Sequence, residues 1–457
     1  MRVTGYECYP SNLTLDKRII SPVLSNSLFN RPLWVNNPVT LAPRVELELL
    51  KKLLMIRTKN NTNEKIRLFT PGPTPISQRI LDIAAQQLPY NRTKHFSQIT
   101  FDILAGLKGL FSTKGDVVIF ASSGTGAMEA SILNFIHQKD HVLIINGGTF
   151  GQRWVDLCAH HKIPYTEMCL APGASLSIEL LDQKLSSGQY RTLLLNSHET
   201  STGQLYDTKS IGELTHRYGV FFIVDAISTI CADPFLMDNW YVDVAILSSQ
   251  KGLALPPGLS FLALNETAKE RLQSQASRSF YFDIKDYLDN QKRGQMPFTP
   301  VIGHFLMLHE QLKWIKEIGM TAVIARHSKL AEYFRESVVN LPFSFVPHTP
   351  SNALSALKVE KDINAFELTK SLASKYNCVV APNGGSLKDS VFRVSHLGQQ
   401  TTEDIDFLVG AIESILDHQK NNKEPEYESN YYGGRRWQSA QGNPRRHTQM
   451  PYRGGKW

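Results

Sequence analysis

A lysine stands where a charge is hard to solvate. In Ala245-Ile246-Leu247-Ser248-Ser249-Gln250-Lys251-Gly252 an apolar run ends in polar residues, and Lys251 follows directly. A strand over Val244–Leu247 reads as buried on both faces of a parallel sheet, whose strand ends are where such sheets hold ligands. Beside Gly252 and the Pro256-Pro257-Gly258 turn, an ammonium group loses hydration, and its pKa falls toward what a carbonyl-condensing lysine needs. A lysine after a strand is otherwise an ordinary surface charge, so the weight rests on what stands upstream.

Three stretches upstream carry matching chemistry. Ser122-Ser123-Gly124-Thr125-Gly126 follows an apolar run and feeds a helix, and free N–H groups with two kinds of hydroxyl make that junction an anion site. It lacks the Gly-Lys-Ser/Thr ending of a nucleotide-gripping loop and the dinucleotide glycine pattern, so a single phosphate fits it better; a plain turn and N-cap is the bland alternative. Phe221-Phe222-Ile223-Val224-Asp225 ends in a carboxylate. Asp225 reads as a magnesium-linked acid, as a cap, or as a buried acid facing a cationic ring nitrogen, a bond worth roughly 1.5–3 kcal/mol. Asn146-Gly147-Gly148-Thr149-Phe150 places an aromatic at another strand end, either as core or as a plate for a planar group. His198, after the strand Thr192–Leu195, reads as a structural hydrogen-bonder, and no second histidine suggests a metal. Phosphate cradle, aromatic plate, buried acid and lysine together suit pyridoxal 5′-phosphate.

The elements that must position these residues alternate. Apolar strands at Val117–Phe120, Val142–Ile145, Thr192–Leu195, Val220–Val224, Val244–Leu247 and Leu259–Leu264 are separated by helical segments. That rhythm predicts a mostly parallel sheet with helices on both faces. Helices are predicted over 77–88 and 99–111 before it, and over Phe305–Ile318 and Ala322–Val339 after it. Short strands at Ala353–Val359, Cys378–Val380 and Val391–Val394 and a helix over 403–417 complete a smaller α+β unit. The expected division is an arm over 1–65, a large domain over 66–303, a small domain over 304–420 and a disordered basic tail over 421–457.

Composition narrows the class. The chain has 457 residues, 42% hydrophobic and 20% charged, which suits a globular enzyme. No apolar run reaches membrane-spanning length, and the start carries no charged-then-apolar signal. Cysteines at 8, 158, 169, 231 and 378 form no metal or disulfide pattern, which points to a reducing cytoplasm. Of the net charge of +7, six units lie in residues 429–457, leaving +1 for the rest. A nucleic-acid role therefore attaches only to that tail, whose arginines alternate with Tyr431, Tyr432, Trp437, Tyr452 and Trp457. The arm holds five prolines and a helical stripe over 44–56, and reads as a packing segment.

Several runs together carry a resemblance. They are Phe69-Thr70-Pro71-Gly72-Pro73, Gly148-Thr149-Phe150-Gly151-Gln152-Arg153, Glu199-Thr200-Ser201-Thr202-Gly203 and Val224-Asp225-Ala226-Ile227-Ser228. Ser249-Gln250-Lys251-Gly252, Pro256-Pro257-Gly258-Leu259-Ser260, Pro297-Phe298-Thr299-Pro300 and Phe392-Arg393-Val394-Ser395-His396-Leu397-Gly398 follow in order. From about Phe69 to Leu416 the chain resembles the class V aminotransferases of fold type I, and most of all the alanine/serine–glyoxylate group. The resemblance implies Lys251 as the Schiff-base lysine, Asp225 as the ring-nitrogen partner and Phe150 as the stacking aromatic. It implies Thr200 and Gln250 near the ring hydroxyl or phosphate, and Ser123, Gly124 and Thr125 around the phosphate, helped by Thr299 from a neighbouring subunit. Arg393 would clamp the substrate carboxylate, which guanidinium geometry suits, and Gly72 would line the substrate end. Met296 stands where some relatives place a phosphate-binding tyrosine.

The implied activity is a homodimeric, two-step amino transfer between alanine or serine and glyoxylate or pyruvate. A 2-aminoethylphosphonate–pyruvate aminotransferase and a specialised biosynthetic transaminase are the enzymatic alternatives. Cysteine desulfuration is disfavoured, since no histidine precedes Lys251. A scaffold or RNA-associated protein using the tail is the alternative outside enzymes.

Overall fold

The computed structural model describes residues 66–421, Gln275 excepted. The arm of residues 1–65, with its helical stripe over 44–56, and the basic tail beyond residue 421 lie outside the described residues.

Seven strands form the larger sheet. In spatial order they are Asp116–Phe120, Ser260–Leu264, Val244–Ser248, Phe221–Asp225, Thr192–Asn196, Val142–Asn146 and Tyr165–Cys169. Only Ser260–Leu264 runs against its neighbours; all other pairings are parallel. The central strands are buried at every position, so they read as continuous Val, Ile, Leu and Phe runs instead of an alternation. Register sets the site: Asp225 lies level with Asn196 on one side and Ile246 on the other.

Helices are cut by local signals. Lys94–Phe111 starts where the Thr93 hydroxyl accepts from the Phe96 N–H at 3.2 Å, and stops at Ser112, which is left-handed at φ 54°. Its buried residues Phe96, Ile99, Ile103, Leu107 and Leu110 recur every three or four positions, one helical face turned to the core. Asp207 and Asn265 cap Thr208–Arg217 and Glu266–Gln273 in the same way. The core around this sheet includes Phe120, Phe135, Trp154, Phe222 and Phe261, all fully buried.

A second sheet of five strands has the order Arg67–Phe69, Cys378–Pro382, Val391–Ser395, Leu354–Val359, Phe343–Phe345. Its first pairing is parallel, Phe69 against Val380, and the rest are antiparallel. Helices Met320–Ser337, Ala365–Tyr376 and Thr402–Asn421 pack with it around Phe69, Phe334, Leu368, Phe392 and Ile412. Core membership crosses residue 303 in both directions. Phe305, Leu308, Leu312 and Val323 belong to the first core and Phe69 to the second.

Polar side chains join the two. Buried Asp233 accepts from the Ser351 hydroxyl and from the Asn352 N–H at 3.1 Å. Arg335 donates to the Ser355 hydroxyl at 3.1 Å and to the Ser351 carbonyl, and His327 Nδ1 donates to the Cys231 carbonyl at 2.7 Å. Buried polar groups need such partners, and here they tie the loop after Asp225 to the second sheet.

Candidate active site

The carboxyl ends of the parallel strands converge. Phe221–Asp225 delivers Asp225, Val244–Ser248 leads into Lys251, and Val142–Asn146 leads through Gly147 and Gly148 into the helix Thr149–His160, which opens with Phe150. Lys251 is buried, with Nζ 5.6 Å from the centre of the Phe150 ring. Burial lowers its pKa to about 8, although the charge of Asp225 works the other way. Asp225 is also buried and accepts from Asn196 Nδ2 at 2.6 Å and the Ile227 N–H at 2.8 Å. Burial raises its pKa to about 6 against those two donors and the positive charge of Lys251. One cation and one anion thus face each other's field beside an aromatic ring.

The entry turn closes over the lysine. Thr74 donates its hydroxyl to the Lys251 carbonyl at 3.1 Å. A side chain on Gly72 would place its Cβ 3.1 Å from Lys251 Cδ and 3.2 Å from the Gln250 carbonyl, so glycine permits the approach. On the other side, Ser123 caps the helix Gly124–Phe135 without using its side chain. The first N–H groups of that helix have no intrahelical acceptor. A Cβ on Gly124 would lie 2.3 Å from Ile227 Cδ1, which binds the loop closely to the residues after Asp225.

Thr200 is buried and shares a hydrogen bond of 2.7 Å with Ser228. Glu199, also buried, accepts from the N–H groups of Phe150 at 3.1 Å, Gly151 at 2.9 Å and Ser201 at 3.1 Å. It holds the start of the Phe150 helix, where a negative charge is favoured. Arg393 comes from the second sheet and donates from Nη1 to the Thr200 carbonyl at 3.0 Å and from Nη2 to the Pro382 carbonyl at 2.7 Å. Its Nε–H has no partner. His198 is buried with both ring nitrogens unpartnered, and burial with the nearby positive charge of Lys251 depresses its pKa to about 3, so it is neutral. Thr299 stands apart from this group: it is exposed and lines a recess with Ala121, Leu259, Tyr281 and Phe298.

Two residues join the site that the sequence reading did not single out. Asn196 anchors Asp225, and its own Oδ1 is buried without a partner. Ser248 is fully buried with an unpartnered hydroxyl, and its Cβ faces Gly124. Polar residues that end apolar strands were the available signal. Unpaired buried polar atoms at one locus (Ser248 Oγ, Gln250 Oε1, Asn196 Oδ1, Arg393 Nε) are costly unless something bound there meets them. With a buried lysine, a carboxylate, an aromatic plate and a helix N-terminus, this donor set fits pyridoxal 5′-phosphate.

Other features of the described residues offer different chemistry. A cleft of about 540 Å³ near Phe221 and Asp243, the beginnings of two strands, is lined by His216, Tyr241 and Arg271. Its Arg271 is already paired with Asp140, and its Asp243 accepts from Asn265. Among the described residues no group of three or more His, Cys, Asp or Glu is placed to hold a metal ion, and no helix is long and apolar enough to cross a membrane.

Fold and site together define a fold-type I aminotransferase architecture, and comparison with known proteins gives the family. Residues 68–408 match the aminotransferase class-V family, and the chain belongs to it. The soluble hydrogenase small subunit of a Synechococcus strain is 31% identical over 77% of this chain and 93% of its own. The L-aspartate–glyoxylate aminotransferase of Paracoccus denitrificans is 29% identical, covering 73% of this chain and 87% of its own. Among solved structures, alanine–glyoxylate aminotransferase from Nostoc sp. superposes with a TM-score of 0.74 at 27% identity, over 76% of this chain and 94% of that one. The chain is therefore an aminotransferase, from a family whose members use pyridoxal 5′-phosphate.

Proposed function

We propose that this aminotransferase binds pyridoxal 5′-phosphate through Lys251 and moves the amino group of a small amino acid, alanine or serine, onto glyoxylate or pyruvate. The observation that carries the reading is the buried pair of Lys251 and Asp225 beside the Phe150 ring. The glyoxylate aminotransferases among the relatives support the acceptor, and they do not favour the phosphonate alternative.

When bound, the cofactor supplies an aldehyde that condenses with amines and a ring that draws electrons from the substrate α-carbon. Phe150 would stack on that ring, while Asp225, steered by Asn196 and the Ile227 N–H, would hold a proton on the ring nitrogen. Ser123, Gly124 and Thr125 would hold the phosphate at the helix N-terminus, with the buried Ser248 hydroxyl and the Gln250 amide N–H groups as further donors near the phosphate or ring hydroxyl. Thr200 would sit beside the ring hydroxyl, its own hydroxyl fixed by Ser228. Arg393 would receive the substrate carboxylate on its free Nε edge while its other edge stays anchored to backbone carbonyls. Gly72 keeps the substrate end open. With its pKa near 8, Lys251 would serve as general base and acid, its Nζ taking the proton from the substrate α-carbon and giving it up again. The working unit is a homodimer, with Thr299 of a second copy completing the phosphate site. Residues 66–303 and 304–420 serve as the large and small domains.

The test is a panel of single amino acids mixed with purified holoprotein, reading loss of the lysine-bound cofactor's absorbance and then oxo-acid formed. Alanine or serine should bleach the band and glyoxylate restore it. Lys251→Ala should show neither the band nor turnover, a loss of at least ~10²–10⁴-fold. A 2-aminoethylphosphonate response without one to alanine or serine would overturn the substrate assignment.

A further inference from the structure

The phosphate-type loop Ser122-Ser123-Gly124-Thr125-Gly126 contains no basic residue. A helix N-terminus offers only about half a positive charge, too little for a dianion. Two cations at the site have other tasks: Lys251 lies beside Phe150, and Arg393 is anchored to Thr200 and Pro382. A third, Arg153, has none in the reading given so far.

Arg153 stands one helical turn after Phe150 and is half-buried. Its Nη1 donates to the Thr125 hydroxyl at 3.1 Å, and its guanidinium carbon lies 4.9 Å above the Phe150 ring. Among the described residues Thr125 is its only hydrogen-bond partner, which leaves four of its five N–H donors without one. Its charge is felt across the site: it lowers the pKa of Asp225 and of Lys251 alike.

From this placement we propose that Arg153 is a binding residue for the cofactor's phosphate, supplying over Thr125 the positive charge that the loop lacks. The inference rests on the pyridoxal-phosphate reading above and extends it to a residue for which no role has been argued. The bland alternative is a strut, in which Arg153 only ties Thr125 to the Phe150 helix.

The test uses the full chain stripped of cofactor and titrated separately with pyridoxal 5′-phosphate and with pyridoxal, which lacks the phosphate. Binding is read from the absorbance of the lysine-bound form, with melting temperature as the folding control. Arg153→Met and Arg153→Gln should each weaken pyridoxal 5′-phosphate about 10–100-fold, the worth of a charge-assisted hydrogen bond. Pyridoxal affinity should stay within about twofold, since it lacks the phosphate group that Arg153 would bind, and Arg153→Lys should recover part of the loss by restoring the charge. Glutamine keeps a donor for Thr125 without the charge, so wild-type affinity in Arg153→Gln overturns the proposal in favour of the strut. A parallel loss of both compounds, or no loss of either, overturns it as well. Failure of the unsubstituted protein to take up either compound removes the cofactor reading itself.

Discussion

The surroundings of Asp225 work against its charge. Burial lifts its pKa from 3.8 to about 6, so the folded chain keeps a proton that the unfolded chain releases in that window. Stability of the cofactor-free protein therefore falls as pH rises from about 4 to about 6, and the penalty is complete above that. Asp225→Asn removes it, and its amide can meet the unpartnered Asn196 oxygen. The cofactor-free variant should melt higher than wild type near neutral pH and show no such advantage near pH 4, in paired thermal scans. With cofactor and substrates it should lose about 10–100-fold in turnover, having given up a charge-assisted bond. At this scale the sequence is readable where residue type and position coincide: a lysine, an acid and an aromatic at strand ends have few common chemistries. Ser248 and Asn196 escape because a single serine or asparagine closing a strand has many ordinary reasons to be there. Only the absence of any partner for their oxygens marks them.

Among the elements, the entry turn has the tightest tolerance. Gly72→Ala would press a methyl against the Lys251 chain and the Gln250 carbonyl, and the carbonyl cannot swing aside. Overpacking of this kind costs about 1–3 kcal/mol. The expected outcome is a lower melting temperature together with a fall in kcat, because the displaced group is the lysine itself. The long buried strands were plain from their apolar runs, since nothing else makes Phe221-Phe222-Ile223-Val224. Tyr165–Cys169 was not: as the outer strand of its sheet it buries only Met168 fully and carries Thr166 and Glu167, so its pattern looks like loop. Arg67–Phe69 was hidden for another reason. It abuts the proline-rich turn, and its partner lies far along the chain. The helix Lys94–Phe111 begins earlier than its apolar stripe suggests, because the Thr93 cap and not hydrophobicity sets the first turn.

For the molecule as a whole, the question is what keeps Arg393 against residues of the other sheet. Besides its own bond to Thr200, the buried contacts of Asp233 with Ser351 and Asn352 do so. Asp233→Ala would strand a hydroxyl and an N–H and remove the countercharge near Arg335, a loss of about 2–4 kcal/mol by urea unfolding. A rise in the KM for the amino acid should accompany it, because the carboxylate-binding arginine would lose its fixed place. None of these contacts could be read from the sequence, since their members lie far apart along the chain.

The pairing of Arg67–Phe69 with Cys378–Pro382 also has a meaning in time. On the ribosome the first of these strands emerges about 310 residues before the second exists. At ~5–20 residues per second that is a wait of roughly 15–60 s. Phe69 spends it without the neighbours that later enclose it, so a nascent chain halted before residue 378 holds a finished larger sheet beside an apolar strand open to chaperones.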